Sequence, residues 1–276
     1  MNDIEDEVRH LSDSDVDEIL AENSIQLEPE HEEIPKNSDT LLMDESTSRF
    51  SSAVWYEAIQ KKKILVAGVG GIGSYVVFLL ARMHPEQLII MDNDVVEYAN
   101  MSGQLYSNDN VNSYKTEAIA GMVANYANYY CVSCINRRFD YSTTPMDIMI
   151  CGFDNMSARS TFFNSWVEHV KHSSHPEKCL FIDGRLAAEE FQVLCIQGND
   201  TYNINRYREE FLFGDTEADA TVCSYKQTTF CANMIASVMI NLFTNFVANE
   251  CNPLIPRDLP FFSRYDASTM FFKTEA

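Results

Sequence analysis

The sequence predicts an α/β fold: an open, mostly parallel sheet with helices on both faces and a short antiparallel addition near the C-terminus. Three observations carry that prediction. Short apolar runs alternate with stretches of helical period from about residue 50 to residue 249, as successive strand–helix units do. One such run, Ile64–Ala67, leads straight into Gly68-x-Gly70-x-x-Gly73 and then into an apolar helical stretch. Two apolar runs near the end, Leu259–Tyr265 and Thr269–Lys273, have the spacing of a hairpin.

Residues 1–46 stand apart from this pattern. They hold 16 acidic and two basic residues, which is −14 of the chain's net −21. Rich in Ser and Asp and poor in aromatics, they are expected to form a disordered acidic arm. Leu11, Val16, Ile19 and Leu20 have roughly helical spacing, with Ser12 and Asp13 as possible N-caps, so a short docking helix is the other reading. Residues 47–276 are the expected folded domain, and their balance is an ordinary −7.

Within that domain the elements follow in order. Phe50, Val54, Trp55, Ala58 and Ile59 share a helical face running to Gln60. Ile64–Ala67 is the first strand, and Gly71 to Met83 is a helix with Ile72, Val76, Val77, Leu80 and Ala81 inward. Leu88–Met91 is the second strand, ended by Asp92. Asn100–Asp109 reads as a polar loop and Tyr114–Tyr129 as a helix. Val132–Ile135 and Asp147–Cys151 are the third and fourth strands, Ser157–Lys171 a helix, and Cys179–Asp183 and Phe191–Ile196 the next two strands. Residues 198–222 are polar and Tyr-rich with no clear period, and Ala232–Asn249 is a long apolar helix.

Composition sets exclusions. No basic stripe is present, so nucleic acid is not an expected partner. No apolar run is expected to span a membrane, and Met1-Asn2-Asp3 does not open a signal peptide. The eight cysteines sit mostly within apolar runs, which suits thiols in a reducing, cytoplasmic compartment.

Chemistry concentrates at strand ends. Glycines at 68, 70, 71 and 73 let the backbone turn tightly and approach a phosphate, and the helix that follows presents its first N–H groups to it. A turn needed only for close helix–strand packing would look the same. Asp92, 19 residues beyond Gly73, can accept from a ribose hydroxyl, as in Rossmann-like nucleotide sites. Asp94 would face the phosphate side, toward a metal or a helix N-terminus. Asn100 and Gln104 are neutral hydrogen-bonders suited to orienting an anion. Lys115 opens the next helix and is a candidate charge clamp for an α-phosphate. Asp154, with Asn155 beside it, follows the fourth strand and suits Mg²⁺. All should converge at the carboxyl ends of the strands.

Taken together, Gly68–Ser74, Asp92, Asp94, Val96-Glu97, Asn100, Gln104, Lys115, Asp154-Asn155, Ala158-Arg159 and Phe181–Arg185 resemble the E1-like superfamily. This holds the ThiF/MoeB-type adenylyltransferases and the adenylation domains of ubiquitin-activating enzymes. The resemblance covers about residues 48–245. It implies binding of ATP with Mg²⁺ and adenylation of the C-terminal carboxylate of a ubiquitin-like or sulfur-carrier protein ending in glycine. It also implies a homodimer in which an arginine is borrowed from the partner's N-terminal segment, and Arg49 is the matching residue. A transfer cysteine commonly lies just before the long late helix, where this chain has Cys223 near Lys226; a packing thiol is the alternative.

Two departures bear on activity. The family's usual Asn-x-x-Arg-Gln reads Asn100-Met101-Ser102-Gly103-Gln104 here, with glycine in the arginine's place. The family's paired CxxC zinc motif is reduced to Cys131-x-x-Cys134 in a predicted strand, where alternation turns the thiols to opposite faces, so no zinc is expected. Cys231 reads as core, and His84, His169, His172 and His175 as surface residues. The departure at Gly103 leaves two rival functions beside the first: a catalytically weak scaffold subunit for an active partner, and an enzyme of this type acting on a non-protein acceptor.

Overall fold

A computed structural model describes residues 49–50, 52–213 and 228–275. The elements are α1 (Val54–Ile59), β1 (Lys63–Ala67), α2 (Gly71–Ala81), β2 (Gln87–Met91), α3 (Lys115–Ala127), β3 (Val132–Ile135), β4 (Ile148–Cys151) and α4 (Met156–His172). There follow β5 (Leu180–Ala187), β6 (Glu190–Gln197), α5 (Thr201–Arg206), α6 (Thr229–Cys251), β7 (Phe262–Asp266) and β8 (Phe271–Glu275). The described strands form one sheet in the order β3-β2-β1-β4-β5-β6-β7-β8. Pairings from β3 to β5 are parallel, and those from β5 to β8 are antiparallel.

The two faces of the parallel strands follow from the period of two. Ile64, Val66, Leu88, Ile90, Ile148 and Ile150 join one core, shared with Val76, Leu80, Ile119 and Phe243. Leu65, Ala67, Met91, Met149 and Cys151 join the other, with Phe162, Phe163, Trp166 and Tyr207. Both faces of these strands are therefore apolar, which is why they read as continuous runs rather than as alternating ones.

α6 corrects one expectation. At 23 residues with a mean hydropathy of 1.5 it is long and apolar enough to cross a membrane. Its apolarity has a local cause: Cys231, Ile235, Met239, Phe243 and Phe246 are all buried in the protein. Gly184 of β5 makes room for it, since a Cβ there would stand 2.7 Å from Met239 Sδ.

The stretch without a clear period also proves structured as far as Phe213. Residues 201–206 form α5, capped by Asp200 accepting from Asn203 N, and 207–211 continue as a π-helical turn. Tyr207 is fully buried there. The expected loop at 100–109 holds two short 3-10 turns, Tyr98–Ser102 and Asn108–Asn110.

Candidate active site

β1, β2 and β4 lie side by side, so their carboxyl ends meet. Gly68 N donates to Met91 O at 2.8 Å and Gly152 N to Ala67 O at 2.8 Å. Gly68 adopts φ +81°, a left-handed conformation that favours glycine. A Cβ on Gly68 would stand 2.7 Å from Gly152 C, and one on Gly73 would stand 1.9 Å from Gly68 O. The glycine turn is thereby clamped between the end of β4 and the first turn of α2. Among the described residues no side chain caps α2, so its first N–H groups can receive an anion.

Asp92 braces this turn from the end of β2. Its Oδ2 accepts from Val69 N and its Oδ1 from Asp94 N, each at 2.9 Å. Burial pushes its pKa above the ordinary carboxylate value, against the opposing pull of the Asp94 N–H, the Lys115 charge and the Val69 N–H. Lys115, at the first position of α3, is 6% exposed. It donates from Nζ to Asp94 Oδ2 at 2.9 Å, while its main-chain N donates to Asp94 O at 3.0 Å. Asp94 thus faces the N-terminus of α3, one of its two expected directions. Its carboxylate is paired with Lys115, and an incoming phosphate would compete with it for that ammonium.

Asn100 is tied into its own loop. Its Oδ1 accepts from Glu97 N at 2.8 Å, and the Glu97 side chain in turn accepts from the Asn100 N–H. This capping box holds the 3-10 turn through Asn100 Oδ1 and the Asn100 N–H. Gln104 does reach the turn: its side chain lies about 3.9 Å from where a Gly70 Cβ would be. Its Oε1 is buried without a partner among the described residues, which marks it as an acceptor awaiting a donor. Two further groups position the turn, Tyr106 from outside the motif and Ser74 from its last position. Tyr106 is buried and donates to Val69 O at 2.5 Å, and Ser74 Oγ accepts from Leu105 N at 3.1 Å.

Asp154 is exposed at the rim, two residues past Gly152. Asn155, expected to touch a nucleotide, instead caps α4 by accepting from Ala158 N at 2.8 Å and donates to Asp154 Oδ1 at 3.2 Å. One turn later Arg159 is buried and bonds Asp183 Oδ1, Phe153 O and Gly184 O. Asp183, fully buried, also accepts from Arg185 Nε at 2.8 Å and from the Tyr207 hydroxyl at 2.9 Å. Two guanidiniums against one carboxylate leave excess positive charge beneath the crevice, and the network fixes the segment that bears Asp154. Arg159 lies within the quoted motif, but only the fold reveals this partner set.

The remaining expected residues stand elsewhere. Arg49 is exposed. It precedes Phe50, whose ring packs against Trp55 and Tyr56 of α1. Val54 O accepts from Cys251 Sγ at the end of α6, and Lys62 pairs with Glu250, so α1 lies toward the end of the sheet where β1 begins. Cys223, with Lys226, lies outside the described residues. Cys231 is buried. Cys131 and Cys134 are exposed, the first just before β3 and the second donating to Thr116 O at 3.4 Å. His172 and His175 are exposed beside Glu168 and Glu177. His169 departs from the surface reading: it joins Asp147 and Cys179 at the far end of the sheet.

A mostly parallel sheet with a glycine turn, an open helix N-terminus and strand-end carboxylates at its topological switch point is the architecture of Rossmann-like nucleotide-binding folds. The chain belongs to the ThiF family, whose model matches residues 44–275. Its sequence is similar to ubiquitin-like modifier-activating enzyme 5 of Drosophila willistoni, 30% identical over 133 residues, which are 41% of this chain and 32% of that one. It is also similar to the Caenorhabditis elegans enzyme of that name, 43% identical over 63 residues, 23% of this chain and 15% of that one. The first of these matches spans about a third of that relative's length. Among solved structures it resembles PaaA with a TM-score of 0.64 and 14% identity, over 96% of this chain and 83% of that one. It likewise resembles Escherichia coli MccB with ATP, with a TM-score of 0.59 and 18% identity, over 88% of this chain and 73% of that one. At these identities the likeness is one of fold.

Proposed function

We propose that this chain is an ATP-dependent adenylyltransferase that activates the C-terminal carboxylate of a ubiquitin-like or sulfur-carrier protein, or of a peptide. The observation that carries the reading is the glycine turn braced by Asp92 and packed against Gly152, with the open N-terminus of α2 beside it and Asp154 two residues beyond Gly152. The residues present fit ATP. Asp92 would accept from the ribose, the first N–H groups of α2 would hold phosphate oxygens, and Gln104 Oε1 offers a buried acceptor lacking a donor. Asp154 would hold Mg²⁺, which supplies charge neutralisation on the phosphates.

In the reaction a carboxylate oxygen bonds to the α-phosphorus of ATP, and the bond from that phosphorus to the pyrophosphate oxygen breaks. The products are an acyl adenylate and pyrophosphate. The protein contributes positioning and electrostatic stabilisation, with Lys115 and the positive charge of Arg159 and Arg185 on the crevice side. The placement of Arg49 toward the start of β1 supports its action on a partner chain's crevice in a homodimer. Cys223 would take the acyl group as a thioester, releasing AMP.

Gly103 favours a second reading, a weakly active scaffold subunit that pairs with an active partner. It is buried and closes the 3-10 turn, so no side chain stands where the family carries its arginine. ATP–pyrophosphate exchange, measured with carrier proteins ending in Gly-Gly, with peptides and with small carboxylic acids, separates the readings. Exchange that depends on a carrier or peptide supports the proposal. Exchange with small acids alone favours a non-protein acceptor, and absence of exchange beside a stable hetero-partner favours the scaffold.

A further inference from the structure

At the end of the sheet opposite the crevice, Asp147 precedes β4, Cys179 precedes β5 and His169 lies in the last turn of α4. His169 Nε2 is 2.7 Å from Asp147 Oδ1, and Cys179 Sγ is 3.6 Å from that same oxygen. All three donor atoms lie within 4.8 Å of one another. Tetrahedral zinc, with oxygen and nitrogen at about 2.0–2.1 Å and sulfur at about 2.3 Å, sets its donors roughly 3.3–3.6 Å apart. The Asp147–Cys179 side already has that size, and rotations of the partly exposed Asp147 and His169 side chains would open the 2.7 Å hydrogen bond between them and turn the imidazole toward the thiol.

The frame that carries these groups is fixed. Asp147 O accepts from Leu180 N at 2.8 Å and from Trp166 Nε1 at 3.1 Å. Cys179 O accepts from Gly198 N at 2.8 Å. A Cβ on Gly198 would stand 2.8 Å from Cys179 Cβ, so only glycine there leaves the thiol its place. Cys179 itself is fully buried while the Asp147 side chain is 58% exposed, so the site has a protein side and a solvent side. A thiolate and an imidazole beside one carboxylate select a zinc-like cation over magnesium or calcium.

We propose that Asp147, His169 and Cys179 bind one zinc-class divalent cation, with water in the fourth position, and that it staples the starts of β4 and β5 to the end of α4. Binding forms a metal–sulfur bond as the thiol proton leaves to solvent. The site is independent of the adenylation reading and of the Cys131-x-x-Cys134 pair.

The test is a titration of the chelator-treated full chain with cobalt(II) and then zinc(II). One cobalt per chain, with a thiolate-to-cobalt charge-transfer band displaced by zinc and a higher Tm with zinc bound, is expected. The band should vanish in Cys179→Ser and persist in the Cys131→Ser/Cys134→Ser double variant. Cobalt affinity should fall in His169→Gln and Asp147→Asn by more than the roughly 10–100-fold that loss of an outer-shell partner costs. A wild-type chain without the band, a band retained in Cys179→Ser, or affinity unchanged in both His169→Gln and Asp147→Asn would overturn the proposal. If Cys179→Ser does not fold, the two partly exposed variants decide the matter alone.

Discussion

Gly68 and Gly152 touch backbone to backbone: a Cβ on Gly152 would stand 2.5 Å from Gly68 O. That contact locks the loop bearing Asp154 to the glycine turn. Gly152→Ala should therefore lower ATP affinity at least tenfold and reduce Tm, as seen by calorimetric titration and thermal melts. Gly121, inside α3, has nothing within 4 Å of its Cβ position. Gly121→Ala should raise stability by about 0.5–1 kcal/mol and leave ATP affinity unchanged.

Lys115 is held by the exposed carboxylate of Asp94. Lys115→Met keeps the buried stem and leaves Asp94 solvated, so the fold should survive. The charge at the α-phosphate is lost, and pyrophosphate exchange should fall by about 10²–10³, the usual effect of removing one electrostatic stabiliser. Exchange at the wild-type rate would remove Lys115 from the site.

Asp183 is the common acceptor for Arg159, Arg185 and Tyr207. Asp183→Ala strands two arginines, one of them buried, and should cost about 3–5 kcal/mol in a urea titration. A loss below about 1 kcal/mol, the worth of a surface pair, would mean that water or other groups take over the guanidiniums.

Burial raises the Asp92 pKa, so the folded chain holds this proton more tightly than the unfolded chain. The stabilising contribution is then full below the unfolded value of 3.8 and is lost as pH rises through the raised folded value. ATP binding runs the other way, because the ribose hydroxyl needs the ionised carboxylate as acceptor. Affinity should drop as pH falls through the raised value. Asp92→Asn should bind weakly throughout and lack that limb, and a wild-type affinity independent of pH would count against the ribose role.

The strands at 64–67, 88–91 and 148–151 were legible because they lie inside the sheet and are largely buried, leaving short apolar runs between turns, while the half-exposed edge strand at 132–135 showed only as a brief run bounded by the β-branched Val132 and Ile135. The meeting of the glycine turn with Asp92 and with the end of β4 was legible because parallel strands place their carboxyl ends together. The roles of Asn100 and Asn155 were not: a short amide can cap a turn or meet a ligand, and sequence does not distinguish the two. α5 escaped notice because six residues are too few to show a period. β5 runs through Gly184 because that glycine accommodates Met239 rather than ending the strand. Asp147, His169 and Cys179 have no metal-like spacing, and only the parallel pairing of β4 with β5 and the packing of α4 on Asp147 bring them together.

The central claim is that Asp154 and the glycine turn hold one ATP for attack at its α-phosphate. ATP–pyrophosphate exchange by the full chain, with its carrier or peptide and Mg²⁺ present, compared between wild type and Asp154→Ala, tests it most directly. The account predicts carrier-dependent exchange in the wild type and a loss of at least about 10²-fold in the variant. Exchange undiminished by Asp154→Ala would contradict it.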